Sequence, residues 1–178
     1  MSKVVEEHRE RAPLKLSFYA VITSDALYNL LREGREVKED DGEKIRSIVE
    51  AEGHLFKGKS IVPNDASAIK QEIKRVVEDA GPDVIITTGG TGLSSRDVTI
   101  EAVEELFEKR IPGFGELLRF LSYSEIGSAA MLTRATAGVY KKTVIFSIPG
   151  SPHAVELSLR KLILPEARHI VAHVRGQL

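Results

Sequence analysis

Gly89-Gly90-Thr91-Gly92 follows the short apolar run Asp83 to Thr88 and precedes a helical pattern. Glycines at that point let a backbone approach a phosphate closely and present free N–H groups. Ser94, Ser95 and Arg96 add hydroxyl donors and a positive charge. No Lys-Ser/Thr follows the last glycine, so the loop is not a Walker A sequence, nor does it have the spacing of a dinucleotide fingerprint. A glycine turn needed only for positive φ is the competing reading. Asp97, five residues past Gly92, is either a cap at a helix start or a carboxylate facing phosphate across a divalent cation. Asp65, after Val62-Pro63-Asn64, poses the same choice. Ser24-Asp25 after the first strand reads as a cap or as a site edge. In Pro149-Gly150-Ser151-Pro152, Ser151 is either a cap alone or part of a second anion contact.

These residues share one property, which is position. Leu16 to Thr23 is an apolar run without alternation, as in a strand buried on both faces. His54 to Val62 and Asp83 to Thr88 are further strands. Helical spacing marks Ile45, Ile48, Val49 and Glu52, then Ile69, Ile73, Val76 and Val77. The alternation of strands and helices implies a right-handed βαβ series and a parallel sheet. Ligands of such sheets bind beyond the carboxyl ends of the strands, and every candidate above lies at such an end. Farther on, Thr99 to Lys109 and Phe114 to Leu121 read as helices. Ala135 to Tyr140 and Thr143 to Ile148 form a hairpin across Lys141-Lys142, and helices from Pro152 to Lys161 and Pro165 to Val174 follow. The expected fold class is α/β: three layers, α/β/α, around a mostly parallel sheet with one antiparallel edge strand.

With 178 residues, one domain is expected from residue 15 to 178, preceded by a charged tail over 1–14. Basic and acidic side chains number 25 and 26, a balance unlike that of proteins that coat nucleic acid. No cysteine is present, which excludes disulfides, thiol catalysis and thiolate metal sites. No signal-peptide or membrane-spanning run occurs, so a cytoplasmic protein without membrane or nucleic-acid partners is expected. High charge with zero cysteine also suits a thermophile. His169 and His173, at i and i+4, have a spacing able to chelate metal, but a solvated or packing role is the stronger reading. Arg119 reaches either phosphate or a surface ion pair. The apolar residues Phe114, Leu117, Leu118 and Leu121 pack either a core or a subunit contact.

Taken in order, Thr87-Thr88-Gly89-Gly90-Thr91-Gly92, Arg96-Asp97-Val98-Thr99, Pro112-Gly113-Phe114-Gly115-Glu116, Ser122-Tyr123-Ser124-Glu125-Ile126-Gly127, Met131-Leu132-Thr133-Arg134-Ala135 and Pro149-Gly150-Ser151-Pro152 resemble the signatures of the MogA/MoaB family of molybdenum cofactor biosynthesis proteins. The likeness runs from about Leu16 to His173, and the charged tail with Ala12-Pro13 is more similar to the MoaB branch. It implies a molybdopterin-binding fold assembled as a homotrimer or homohexamer. The implied activity is Mg2+- and ATP-dependent adenylylation of molybdopterin before molybdenum or tungsten insertion. The family's required aspartates carry over to Asp65 and Asp97, with Mg2+ expected on Asp97. Substrate contacts are expected at Ser24, Asp25, the loop Gly89, Gly90, Thr91, Gly92, and at Ser94, Glu116, Ser122, Thr133, Gly150 and Ser151. Two departures stand out: the family's Asp-x-Ser-Gly stretch is here Glu39-Asp40-Asp41-Gly42, without the serine, and Thr133 replaces a common serine. A non-catalytic pterin-binding protein and an oligomeric scaffold for other cofactor-assembly proteins are the alternatives.

Overall fold

The run SFYAVIT, Ser17–Thr23, is buried at all seven positions, as a strand covered on both faces requires. The structure, a computed structural model, describes residues 12–177. After β1 (Ser17–Thr23) come α1 (Asp25–Arg32), α2 (Asp40–Ala51), β2 (Leu55–Val62), α3 (Ala66–Asp79), β3 (Val84–Thr88) and α4 (Thr99–Glu104). The second half adds β4 (Lys109–Arg110), α5 (Pro112–Ile126), a 3-10 turn (Gly127–Leu132), β5 (Thr136–Tyr140), β6 (Thr143–Ile148), α6 (Pro152–Ser158), a π-helical turn (Leu159–Ile163) and α7 (Leu164–Val174).

The six strands are ordered β2-β1-β3-β6-β5-β4. β1, β2, β3 and β6 are parallel, and β5 runs antiparallel to β6. The expected antiparallel strand is therefore present, but β4 lies outside it at the edge. The helical reading of Thr99 to Lys109 conceals this strand. α4 stops at Glu104, and the backbone N–H groups of Glu108 and Ile111 donate to Val139 and Ala137 of β5 instead. Gly138 makes room for the turn: a Cβ there would stand 2.4 Å from the Phe107 ring.

Alternate residues of β1 feed two cores. Phe18, Ala20 and Ile22 meet Ile45, Ile48 and Val49 of α2 together with Val155, Leu159 and Val171 near the C-terminus. Tyr19 and Val21 meet Ile69, Ile73 and Val76 of α3 and Val103 of α4. The result is the expected three layers. The two helices expected at the C-terminus are joined by the π-helical turn, because Pro165 has no N–H to give an α-helical bond and the turn absorbs the gap. The charged-tail expectation falls mostly on residues 1–11, outside the described residues. Its last part is fixed: Ala12 is buried, and Arg168 donates to the carbonyls of Pro13 and Ala12.

Candidate functional site

Because four strands are parallel, their carboxyl ends share one edge, and the chain turns there four times. At the end of β3, Gly89 and Gly90 adopt φ of +86° and +61°, a left-handed pair that L side chains resist. Space excludes a side chain as well. A Cβ on Gly89 would lie 2.3 Å from the Thr23 carbonyl oxygen, and one on Gly90 2.2 Å from Asn64 Oδ1 and 2.5 Å from Thr99 Oγ1. The loop thus seats glycine against the ends of β1 and β2. Its carbonyl at Gly90 accepts from the N–H of Thr99, which starts α4. Among the described residues, the N–H groups of Gly89, Gly90, Thr91 and Gly92 donate to nothing. Successive unengaged N–H groups in a left-handed turn form an anion-binding concavity.

Asp97 closes over this loop. Its Oδ2 accepts from the Ser94 N–H at 3.2 Å, and its own N–H donates to the Ser94 carbonyl. A Cβ on Gly92 would meet that carboxylate at 2.7 Å. Asp97 is therefore not the cap of α4, whose N-cap is Val98 without a side-chain bond. Asp65 is a cap: its carboxylate accepts from the Ala68 N–H at 2.7 Å and begins α3. Ser24 caps α1 through Leu27, and Ser151 caps α6 through Ala154. Asp25 bridges two strand ends, since Oδ1 accepts from the Asn64 N–H and Oδ2 pairs with Arg96 at 2.9 Å. The neighbouring Arg134 lies in the Met131–Ala135 signature, but the sequence singles out only Thr133 there as a contact. It donates to the Gly92 carbonyl at 2.8 Å and pairs with Glu101 of α4, tying the loop's exit to the start of β5.

The opposite flank of the loop is acidic. A cavity of about 350 Å³ opens between the ends of β1, β3 and β6 and the first turn of α2, where Ser24, Asp41, Thr88, Gly89 and Gly150 meet. Thr88 shares its hydroxyl between Asp41 Oδ2, at 3.3 Å, and the Pro149 carbonyl. Burial, reinforced by Glu39 and Asp40, pushes the Asp41 carboxyl above its ordinary value against the lowering effect of Thr88. Glu39 has both oxygens engaged, one by the Gly42 N–H and one by Lys59. In the sequence Asp41 belongs to the Glu39–Gly42 stretch that departs from the family pattern, and no role is assigned to it there.

The remaining candidates are not drawn into this cluster by any hydrogen bond among the described residues. Ser122 is buried in α5, and its hydroxyl donates to the Leu118 carbonyl one turn earlier. Thr133 is half-buried at the end of the 3-10 turn, next to Arg134. Glu116 and Arg119 line a separate cavity of about 300 Å³ with Glu104, Arg110 and Thr136. A Cβ at Gly115 would meet the Ala135 carbonyl at 2.6 Å and an Arg119 Nη at 3.1 Å. His169 and His173 approach at 3.1 Å, with Glu166 on His169 Nδ1. Among the described residues no group of three or more His, Cys, Asp or Glu is gathered to hold a metal. Mg2+ does not need one, because it is commonly bound through one or two carboxylates plus substrate phosphates. Asp97 fits that use: Oδ1 takes no hydrogen bond among the described residues and flanks the unengaged amides.

Comparison with known proteins agrees with this geometry. A family model described as a probable molybdopterin binding domain matches residues 19–169. The molybdenum cofactor biosynthesis protein B of Bacillus subtilis (strain 168) is 40% identical over 172 residues, 96% of this chain and 97% of that protein. A protein of Methanocaldococcus jannaschii named a probable molybdopterin adenylyltransferase is 41% identical over 158 residues, 88% of this chain and 93% of its own. Among solved structures, the tungsten cofactor synthesizing protein MoaB from Pyrococcus furiosus superposes with a TM-score of 0.80 at 36% identity, covering 92% of this chain and 99% of that one. With near-complete coverage in each direction, the chain belongs to the MogA/MoaB family of molybdenum cofactor biosynthesis proteins.

Proposed function

We propose that the chain binds molybdopterin and ATP at the glycine-loop edge and transfers the adenylyl group of ATP to the terminal phosphate of molybdopterin. The step belongs to molybdenum or tungsten cofactor biosynthesis in the cytoplasm. A phosphate oxygen of the pterin forms a bond to the α-phosphorus, the bond to the β-phosphate oxygen breaks, and pyrophosphate leaves. Such a transfer needs alignment and charge compensation more than covalent help. The observation that carries the reading is the run of four unengaged N–H groups from Gly89 to Gly92 beside Asp97. These amides orient and stabilise phosphate oxygens. Arg134 holds the loop's exit, and Arg96, paired only at the surface with Asp25, is available to a phosphate. Mg2+ held by Asp97 and phosphate oxygens would neutralise charge on the leaving pyrophosphate. Asp65 lies at the neighbouring strand end and orients the nucleotide while capping α3.

We further propose that the protein is a homo-oligomer, a trimer or hexamer. Leu117, Phe120, Tyr123 and Ile126 repeat every three residues along α5 and are all more than half exposed, with Met131 and Leu132 continuing the surface. An apolar stripe of that kind on a soluble chain marks a contact surface. Other cofactor-assembly proteins are alternative occupants of the same surface. Incubation with molybdopterin, Mg2+ and ATP followed by chromatography separates the readings. Adenylated pterin supports the enzyme, bound pterin without product identifies a non-catalytic binder, and neither identifies a scaffold.

A further inference from the structure

We propose that His169 and His173 of α7 chelate a divalent transition-metal ion such as Zn2+ through their Nε2 atoms, with the Glu166 carboxylate orienting the pair. Residues four apart on a helix lie on one face, one above the other, and two histidines at that spacing are able to share a zinc ion. The geometry goes further than the spacing. The two Nε2 atoms stand 3.1 Å apart, and the rings, with centroids 4.8 Å apart, are tilted by 50° rather than stacked. Zinc–imidazole bonds of about 2.05 Å set two donor nitrogens about 2.9 Å apart at a right angle and about 3.3 Å apart at the tetrahedral angle. The observed separation falls between these limits, so one ion bridges both rings with little movement of either.

Glu166 supplies an independent observation. Its carboxylate accepts from His169 Nδ1 at 3.1 Å, which places the ring proton there and leaves the Nε2 lone pair directed at His173. A carboxylate behind a metal-ligating histidine fixes the ligand's tautomer in this way and raises its basicity. His173 donates its Nε2 proton to His169, and an ion takes that proton's place when His173 carries it on Nδ1 instead. His173 is exposed and His169 half-buried, so water reaches the ion and completes its coordination. Imidazole selects transition metals whereas Mg2+ prefers oxygen, so this site does not compete for the Mg2+ assigned to Asp97. The two also lie at opposite edges of the sheet, because Arg175, just past His173, pairs with Asp83 ahead of β3. A bound ion ties together the last turns of α7, whose Ala167 and Val171 pack in the core with Phe18 and Ala20, and thereby stabilises the folded chain.

The test is calorimetric titration of the chelator-treated full chain with Zn2+, in the presence of excess Mg2+. One Zn2+ is expected to bind per chain, and His153→Ala, a control on α6, to bind it equally. His169→Ala and His173→Ala are each expected to weaken binding about tenfold or more, and Glu166→Gln about tenfold. Glutamine replaces alanine at either histidine should the alanine variant not fold. Zn2+ is also expected to raise the thermal midpoint of the unaltered chain but not that of the His173 variant. Absence of Zn2+ binding overturns the proposal, as does displacement of Zn2+ by Mg2+ or binding undiminished in folded His169 and His173 variants. Undiminished binding in Glu166→Gln overturns the part given to the carboxylate.

Discussion

Gly89 lies so close to Thr23 that a methyl group on its α-carbon would stand 2.3 Å from the Thr23 carbonyl oxygen. Both partners of that contact are backbone at the ends of adjacent parallel strands, so neither can swing aside. Gly53 provides the comparison: its φ is +80°, yet nothing lies within 4 Å of its would-be Cβ. Gly53→Ala is expected to cost about 1 kcal/mol, the left-handed penalty alone. Gly89→Ala is expected to cost about 3 kcal/mol or more and to abolish nucleotide binding, since steric overlap adds to the same penalty. Urea denaturation of the two variants measures the difference, and equal losses would contradict the close-approach argument.

Asp65 caps a helix and is also assigned to nucleotide orientation, and substitution separates the two. Asparagine caps as well as aspartate, whereas alanine loses about 1 kcal/mol. Asp65→Asn is therefore expected to keep its stability while losing turnover, and Asp65→Ala to lose both. Parallel denaturation and steady-state measurements decide it. Turnover that follows stability across the two variants would reduce Asp65 to its cap.

Arg134 grips the loop from outside through the Gly92 carbonyl and Glu101. Its guanidinium fork serves both at once, a geometry lysine does not reproduce. Arg134→Ala is expected to lower kcat/KM by about tenfold or more, with Arg134→Lys recovering only part. Full activity in the alanine variant would show that the loop holds its shape without the anchor.

At the far edge of the sheet, the Leu16 N–H donates to His54 Nδ1 at 3.3 Å, so His54 must be unprotonated there. Burial, aided by the Arg168 charge, holds its pKa below the ordinary 6.5. The folded chain then binds fewer protons on this ring than the unfolded chain does. The associated stability is present above pH 6.5 and is lost as pH falls through the folded value. Urea midpoints at pH 7.5 and pH 5.5 are expected to converge in His54→Gln, relative to the unaltered chain. An unchanged gap between them would assign the pH dependence to other groups.

Much of the fold is legible in the sequence. Unbroken apolar runs at β1 and β3, and the helical spacing of α2 and α3, report burial directly, because two-sided burial leaves no polar positions. The glycine loop is legible because its backbone conformation admits few other residues. α1 is harder to read: Leu27, Leu30 and Leu31 stand at helical spacing, but the helix is only eight residues long and buries none of them completely. β4 is two exposed residues held by backbone bonds, which no side-chain pattern records. Asp97 and Asp65 look alike in sequence, each a carboxylate ahead of a helix, and only the fold distinguishes the loop clasp from the cap. The setting of Asp41 is hidden because it comes from Thr88 and Gly150, residues distant in sequence. Ser122, expected from family resemblance as a contact, donates its hydroxyl to the Leu118 carbonyl, a bond within α5 that its residue type does not reveal.

Adenylyl transfer to a pterin phosphate, supported by the Gly89–Gly92 amides and Asp97, can be followed with ATP labelled at the α-phosphorus and supplied with Mg2+ and molybdopterin. The label is expected to move into the pterin with release of one unlabelled pyrophosphate per product. Asp97→Asn is expected to lower the rate by about a hundredfold or more while the fold persists. Label recovered only as ATP from the unaltered protein, or transfer undiminished in Asp97→Asn, would contradict that assignment.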